Sequence, residues 1–100
     1  MKVWIQKWEE AESGWGSRPD GYTVHRTEAD IRRFFDAMRA KEAARGYGPN
    51  NVPESYTRLC GKAYEAEITD EQEILKLETC GHGYWGSGGN KYPPSSHAWG

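Results

Sequence analysis

The ten residues from Glu12 to Gly21 read Glu-Ser-Gly-Trp-Gly-Ser-Arg-Pro-Asp-Gly and carry the most unusual chemistry in the chain. Gly14 and Gly16 flank Trp15, so the backbone can turn sharply and present the indole outward, where its face would stack on a base. Ser13, Ser17 and neighbouring backbone N–H groups can donate to an anion. Arg18 adds a planar, permanently charged fork that suits phosphate. A structural reading competes, in which a long connection uses Trp15 to plug one edge of the core. The segment is not a P-loop, because Gly-x4-Gly-Lys-Ser/Thr is absent.

Catalytic sets are harder to assemble. His25, His82 and His97 have no Ser or Cys placed beside them in a familiar nucleophile arrangement. Glu9, Glu10 and Glu12 read as solvated surface acids. Cys60 with Cys80-Gly81-His82 lacks the Cys-x2-Cys spacing of a zinc site and needs a fourth ligand from His25 or His97, so a metal is disfavoured. The expectation is a binding protein without enzymatic activity, metal or cofactor.

The elements that must position these residues follow from periodicity. Met1 to Glu9 alternates as a strand, with Val3 and Ile5 on one face and Trp4, Gln6 and Trp8 on the other. Glu10 to Gly21 reads as a loop ending in an Arg18-Pro19-Asp20-Gly21 turn. Tyr22 to Arg26 is a second strand, with Tyr22 and Val24 opposite Thr23 and His25. Thr27-Glu28-Ala29-Asp30 resembles a capping box, and Ile31, Phe34, Phe35 and Met38 form one apolar stripe, predicting a helix from about residue 28 to 45. Arg32, Arg39 and Arg45 read as a solvated helix face paired with Asp36 and Glu42. Gly46 to Pro53 is a turn-rich connection. Tyr56 to Leu59 is extended and Lys62 to Ile68 is a further strand. Thr69 caps a short helix through Ile74, Leu75 and Leu77, closed by Gly81.

The fold class is therefore α+β: an antiparallel sheet of about three strands, one long helix packed on one face, and a short second helix. In this reading the long helix covers Val3, Ile5, Tyr22, Val24, Tyr64, Ala66 and Ile68. Trp4, Gln6, Trp8, Thr23 and His25 are left on the open face. Such a surface is either a dimer interface (or covered by the C-terminal tail) or part of a ligand pocket. In the pocket reading Trp4, Trp8 and Trp15 stack bases, Arg18 and Ser17 hold phosphate with Ser13 nearby, and Gln6 and His25 read polar edges. Tyr22, at the end of the Gly loop, is counted with this site.

One hundred residues fit a single domain, 1–100. Tyr84-Trp85 should dock, while residues 86–100 are expected to order only with a partner chain or ligand. The hydrophobic fraction is 36%, so the aliphatic core is thin; five Trp and six Tyr compensate in part, and a homodimer or higher homo-oligomer would bury more. A net charge of −2 disfavours duplex nucleic acid as a partner. No membrane span or signal peptide is evident, which points to a cytoplasmic protein whose Cys60 and Cys80 are reduced, buried thiols.

Lys7-Trp8-Glu9-Glu10, Glu12-Ser13-Gly14-Trp15-Gly16, Arg18-Pro19-Asp20-Gly21-Tyr22 and His25, continuing through the helix to Val52-Pro53-Glu54-Ser55-Tyr56, resemble short hypothetical proteins of tailed phages. The likeness covers about two-thirds of the chain; the stretch from Ala43 to Asn51 and the aromatic tail after Trp85 depart from it. Small phage proteins of this kind resemble immune-evasion factors, among them the anti-CBASS and anti-Thoeris sponges. That resemblance implies sequestration of a cyclic oligonucleotide or related defence signal in the host cytoplasm, without cleavage. The alternative is an anti-CRISPR-like protein–protein inhibitor, with Glu9, Glu10, Glu65 and Glu67 mimicking phosphates.

Overall fold

A computed structural model describes residues 1–12, 14, 16–47, 55–87, 89 and 91–92. They form β1 (Lys2–Glu12), β2 (Gly16–His25), α1 (Glu28–Ala44), β3 (Ser55–Glu67), α2 (Glu71–Thr79) and β4 (Tyr84–Trp85). The class is the α+β architecture expected. The antiparallel sheet has four strands in the order β3-β1-β2-β4, because Tyr84 and Trp85 pair with Val24 and Thr23.

Two irregularities shape this sheet. The Arg18–Gly21 segment, expected as a turn, lies inside β2, where Arg18 pairs with Glu10 and Pro19 with Glu9. Lys7 pairs with Tyr22, so Trp8 alone stands opposite Asp20 and Gly21: this is a β-bulge. Pro19 has no N–H for the ladder and is tolerated beside such a break. On the other side, the two extended segments expected around Leu59 and Tyr64 are one strand. Ile5 pairs with Tyr64 and Lys7 with Cys60, so Gly61, Lys62 and Ala63 bulge opposite Gln6.

Helix α1 begins as its sequence predicts, with the Thr27 hydroxyl accepting from the Asp30 N–H at 3.2 Å. Its C-cap is Arg45. Helix α2 starts one residue later than expected. Asp70, rather than Thr69, is the N-cap and accepts from the Gln72 N–H at 2.8 Å.

The helices occupy opposite faces, and this corrects the expected packing. Short α2 covers the aliphatic face, where Val3, Ile5, Tyr22, Val24, Ile68, Leu77 and Tyr84 form the core with Ile74 against it. The long helix α1 lies on the other face: Phe34 and Phe35 meet Trp8 with ring centroids at 6.0 Å, and Phe34 meets Trp85 at 5.8 Å and His25 at 5.4 Å. Alternation shows which residues share a face but not which helix covers it. Here ring area decides, since each aromatic buries about 150–250 Å² and well-oriented pairs add about 0.5–1.5 kcal/mol. Among the described residues, no helix is long and apolar enough to cross a membrane.

Candidate functional site

Trp8 is only 1% exposed. Its indole N–H donates to the Thr23 hydroxyl at 2.7 Å, and the Thr23 hydroxyl lies 2.6 Å from His25 Nε2. His25 Nδ1 lies 2.6 Å from the His82 carbonyl. A carbonyl only accepts, so Nδ1 carries the proton and Nε2 accepts from Thr23. Burial pushes the His25 pKa below its ordinary value, which matches this neutral tautomer. The chain Trp8 → Thr23 → His25 → His82 thus satisfies every buried donor in it. The expected roles are corrected accordingly: Trp8 has no free face for a base, and both ring nitrogens of His25 are engaged internally.

Arg18 is also placed differently from expectation. Its guanidinium meets Glu10 at 3.0 Å and Glu12 at 3.5 Å, and Glu10 holds the arginine even further above its ordinary pKa. Glu10 in turn accepts from the Ser55 hydroxyl at 2.6 Å. Two carboxylates already offset the fork that was expected to hold phosphate. Ser17 is exposed at the start of β2 and reaches the Glu9 carboxylate. Ser13 and Trp15 lie outside the described residues.

Two clefts bring the remaining side chains together. The first, about 610 Å³, opens between α1 and the β1–β3 pair, and the β3 bulge forms one of its walls. Trp4 and Gln6 line it from β1, Arg32 and Phe35 from α1, and Leu59 and Lys62 from β3. Trp4 is half-buried, and its indole N–H has no partner among the described residues. Gln6 is buried; its amide donates to the Lys7 carbonyl at 2.7 Å and the Gly61 carbonyl at 3.2 Å, pinning the bulge. Arg32 pairs with Asp36 at 3.2 Å, an exposed i,i+4 contact of the kind worth little, and sits 5.6 Å over the Phe35 ring. Leu59 is 42% exposed. Arg39 fastens α1 to β3 nearby: it stacks over Phe35 at 4.7 Å and donates to the Thr57 carbonyl at 2.9 Å.

The second cleft, about 550 Å³, lies at the Glu9 end of the sheet, where Lys7, Glu9, Tyr22 and Cys60 line it together with Ser17 and Arg18. Arg58 donates to Glu9 at 2.6 Å and holds that carboxyl below its ordinary pKa. Trp8, Ser17, Arg18 and Tyr22 of the expected site therefore border one cleft, and Trp4 and Gln6 the other. His25 borders neither.

Lys7, Arg32 and Lys62 were not among the sequence-derived candidates. Lys7 had a readable signal, an ammonium in phase with Val3 and Ile5 on an apolar stripe. Cys60 corrects the expectation of two buried thiols: it is exposed, and Cys80 is half-buried. Among the described residues, no three His, Cys, Asp or Glu side chains converge as a metal site. In comparisons with known proteins, no family model, curated protein or solved structure gives a significant match.

Proposed function

We propose that this protein binds a small nucleotide in the cleft between α1 and β3 and sequesters it without cleavage. The observation that carries the reading is the company Trp4 keeps. It is the one tryptophan of the expected site, among the described residues, that is only half-buried, and it shares its cleft with Arg32 and Lys62. An indole stacks on any base, and Arg32 and Lys62 outnumber the one carboxylate that lines the cleft, Glu28, so the pair of features suits a nucleotide better than a neutral metabolite. The volume is that of an ordinary small-ligand site. The amide oxygen of Gln6, whose N–H groups are engaged with the backbone, remains as an acceptor for a base edge.

The resemblance to phage proteins narrows the ligand to a cyclic oligonucleotide defence signal. The thin aliphatic core also calls for association of two copies, which light scattering at micromolar concentration checks.

Calorimetric titration with a panel of cyclic di- and trinucleotides tests the reading. One member binds, is recovered intact, and loses its affinity when Trp4→Ala and Arg32→Ala are combined. If nothing in the panel binds, or the double variant binds unchanged, the proposal fails. A host protein co-purifying with the chain in place of a nucleotide would favour the inhibitor alternative.

A further inference from the structure

Gln6 spends both of its donors inside the protein and keeps one acceptor free. Its amide nitrogen donates to the Lys7 carbonyl at 2.7 Å and to the Gly61 carbonyl at 3.2 Å, one hydrogen for each. Carbonyls only accept, so Nε2 must face them and the amide cannot turn round. Oε1 has no hydrogen-bond partner among the described residues. Gln6 is 3% exposed, yet this oxygen is not sealed in. Among the described residues, the one fully buried polar side-chain atom without a partner is the Tyr84 hydroxyl. Gln6 lines the α1 cleft, so Oε1 opens there, an acceptor of fixed orientation at the buried end of the cavity.

The cations lie at the other end. The Arg32 side chain is 75% exposed, and Lys62 is exposed on the β3 bulge. Trp4 precedes Gln6 by two residues on the same face of β1 and lines the same cleft. A nucleotide matches this polarity in one direction. Its phosphates stay at the mouth beside Arg32 and Lys62, its base lies on the Trp4 indole, and the base edge furthest from the sugar meets Oε1. That edge must carry a donor. Adenine and cytosine present an amino group there, whereas guanine, uracil and hypoxanthine present a carbonyl oxygen. Of the two amino-bearing bases, adenine lays a double ring on the indole and makes more contacts with it.

We propose that the α1 cleft selects adenine and that Gln6 is the binding residue that reads it, with the exocyclic amino group donating to Oε1 while Trp4 stacks on the ring. Guanine or hypoxanthine brings an oxygen against an oxygen, and the pinned amide has no hydrogen to turn toward it. The selectivity rests on nucleotide binding in this cleft and specifies which base is taken.

Calorimetric titration of the unaltered chain with cyclic di-AMP and cyclic tri-AMP, each beside its guanine, uracil and hypoxanthine analogues, tests the selectivity. The adenine ring binds about ten- to a hundredfold more tightly than its analogues, as expected when a buried acceptor is otherwise stranded. The side-chain carbonyl NMR resonance of Gln6 shifts on binding the adenine ligand. In Gln6→Leu the ratio of adenine to hypoxanthine affinity collapses toward one, whereas a merely structural role would lower both affinities together and preserve the ratio. Equal affinity for the adenine and hypoxanthine ligands, preference for guanine or uracil, an unmoved Gln6 resonance, or a preserved ratio in Gln6→Leu would each overturn the selectivity and leave nucleotide binding standing. Binding of no ligand in the series would overturn both. The analogue comparison and the Gln6 resonance use the unaltered chain, so they decide the matter even if Gln6→Leu fails to fold.

Discussion

Trp8 and Thr23 meet through one hydrogen bond, indole Nε1–H to hydroxyl Oγ1 at 2.7 Å, inside the layer between the sheet and α1. The same hydroxyl donates onward to His25 Nε2 at 2.6 Å, so a single oxygen serves two buried aromatic side chains.

Thr23→Val keeps the shape of that side chain and removes the oxygen, stranding a buried donor on Trp8 and a buried acceptor on His25. Each stranded group costs about 1–3 kcal/mol, so a loss of about 2–6 kcal/mol is expected for the two. Thr23→Ser retains the hydroxyl and should recover most of it. Urea denaturation of the three proteins measures the difference; equal midpoints for Val and Thr would show that the chain of bonds contributes nothing to stability.

His25 makes stability depend on pH. Burial lowers its folded pKa below the ordinary 6.5, while the His82 carbonyl and the Asp30 charge partly oppose that shift. The unfolded chain therefore takes up a proton near pH 6.5 that the folded chain still refuses, so stability present above that pH declines as the pH falls toward the folded value. The slope cannot exceed about 1.4 kcal/mol per pH unit for one proton. Below the folded pKa it flattens. Denaturation midpoints between about pH 5 and 6.5, above most carboxylate titration, give the slope, and His25→Gln should lack it. If both proteins show the same slope, another group is responsible.

The elements of this fold were legible where local chemistry decides them. The Thr27 cap and the Ile31–Phe34–Phe35–Met38 spacing define α1 without tertiary information, and alternation separates Val3 and Ile5 from Trp4 and Trp8. The facing of the sheet was not legible. Both faces are apolar enough to take a helix, and only the packing of Phe34 and Phe35 against Trp8 settles which one α1 covers. Pro19-Asp20-Gly21 has the composition of a turn and is instead a bulge inside β2, because pairing with β1 outweighs local preference. The same limit governed the site. Trp8 and His25 have the chemistry of ligand contacts, but sequence does not show what covers them, and a lone lysine on a strand, such as Lys7 or Lys62, usually faces water.

Gly86 sits against Tyr22, whose carbonyl accepts its N–H at 2.9 Å; a Cβ at Gly86 would land on the Tyr22 ring. Gly86→Ala must push the chain after β4 away from β2 or move a core ring, at a cost of about 1–3 kcal/mol for overpacking. Gly89 has open space around its Cα, so Gly89→Ala serves as the control and should be close to neutral. Thermal unfolding of the pair tests the contact, and a Gly86→Ala protein as stable as its control would mean that the Tyr22 contact is not tight.

Arg18 is 65% exposed and held by Glu10 and Glu12. Exposed ion pairs contribute little, so Arg18→Ala should leave the denaturation midpoint within error. It should likewise leave nucleotide affinity unchanged if the ligand sits in the α1 cleft. A large loss of affinity in this variant would return the site to the Gly-Trp-Gly loop.

Gln6 joins the sheet to the α1 cleft, and its substitution separates shape from chemistry. Its amide holds the Lys7 and Gly61 carbonyls at 2.7 and 3.2 Å, and these contacts fix the three-residue bulge that presents Lys62. Gln6→Leu fills a similar volume without those bonds, so the core should survive while the bulge loosens; the loss in stability should be near 1–3 kcal/mol. Amide hydrogen exchange should accelerate at Gly61, Lys62 and Ala63 and stay unchanged at Ile5 and Val24, which belong to the aliphatic core. Nucleotide affinity should fall with the loosened wall even though Trp4 and Arg32 are intact. If exchange at residues 61–63 does not change, the amide is not what holds the bulge, and the shape of the cleft must come from α1 alone.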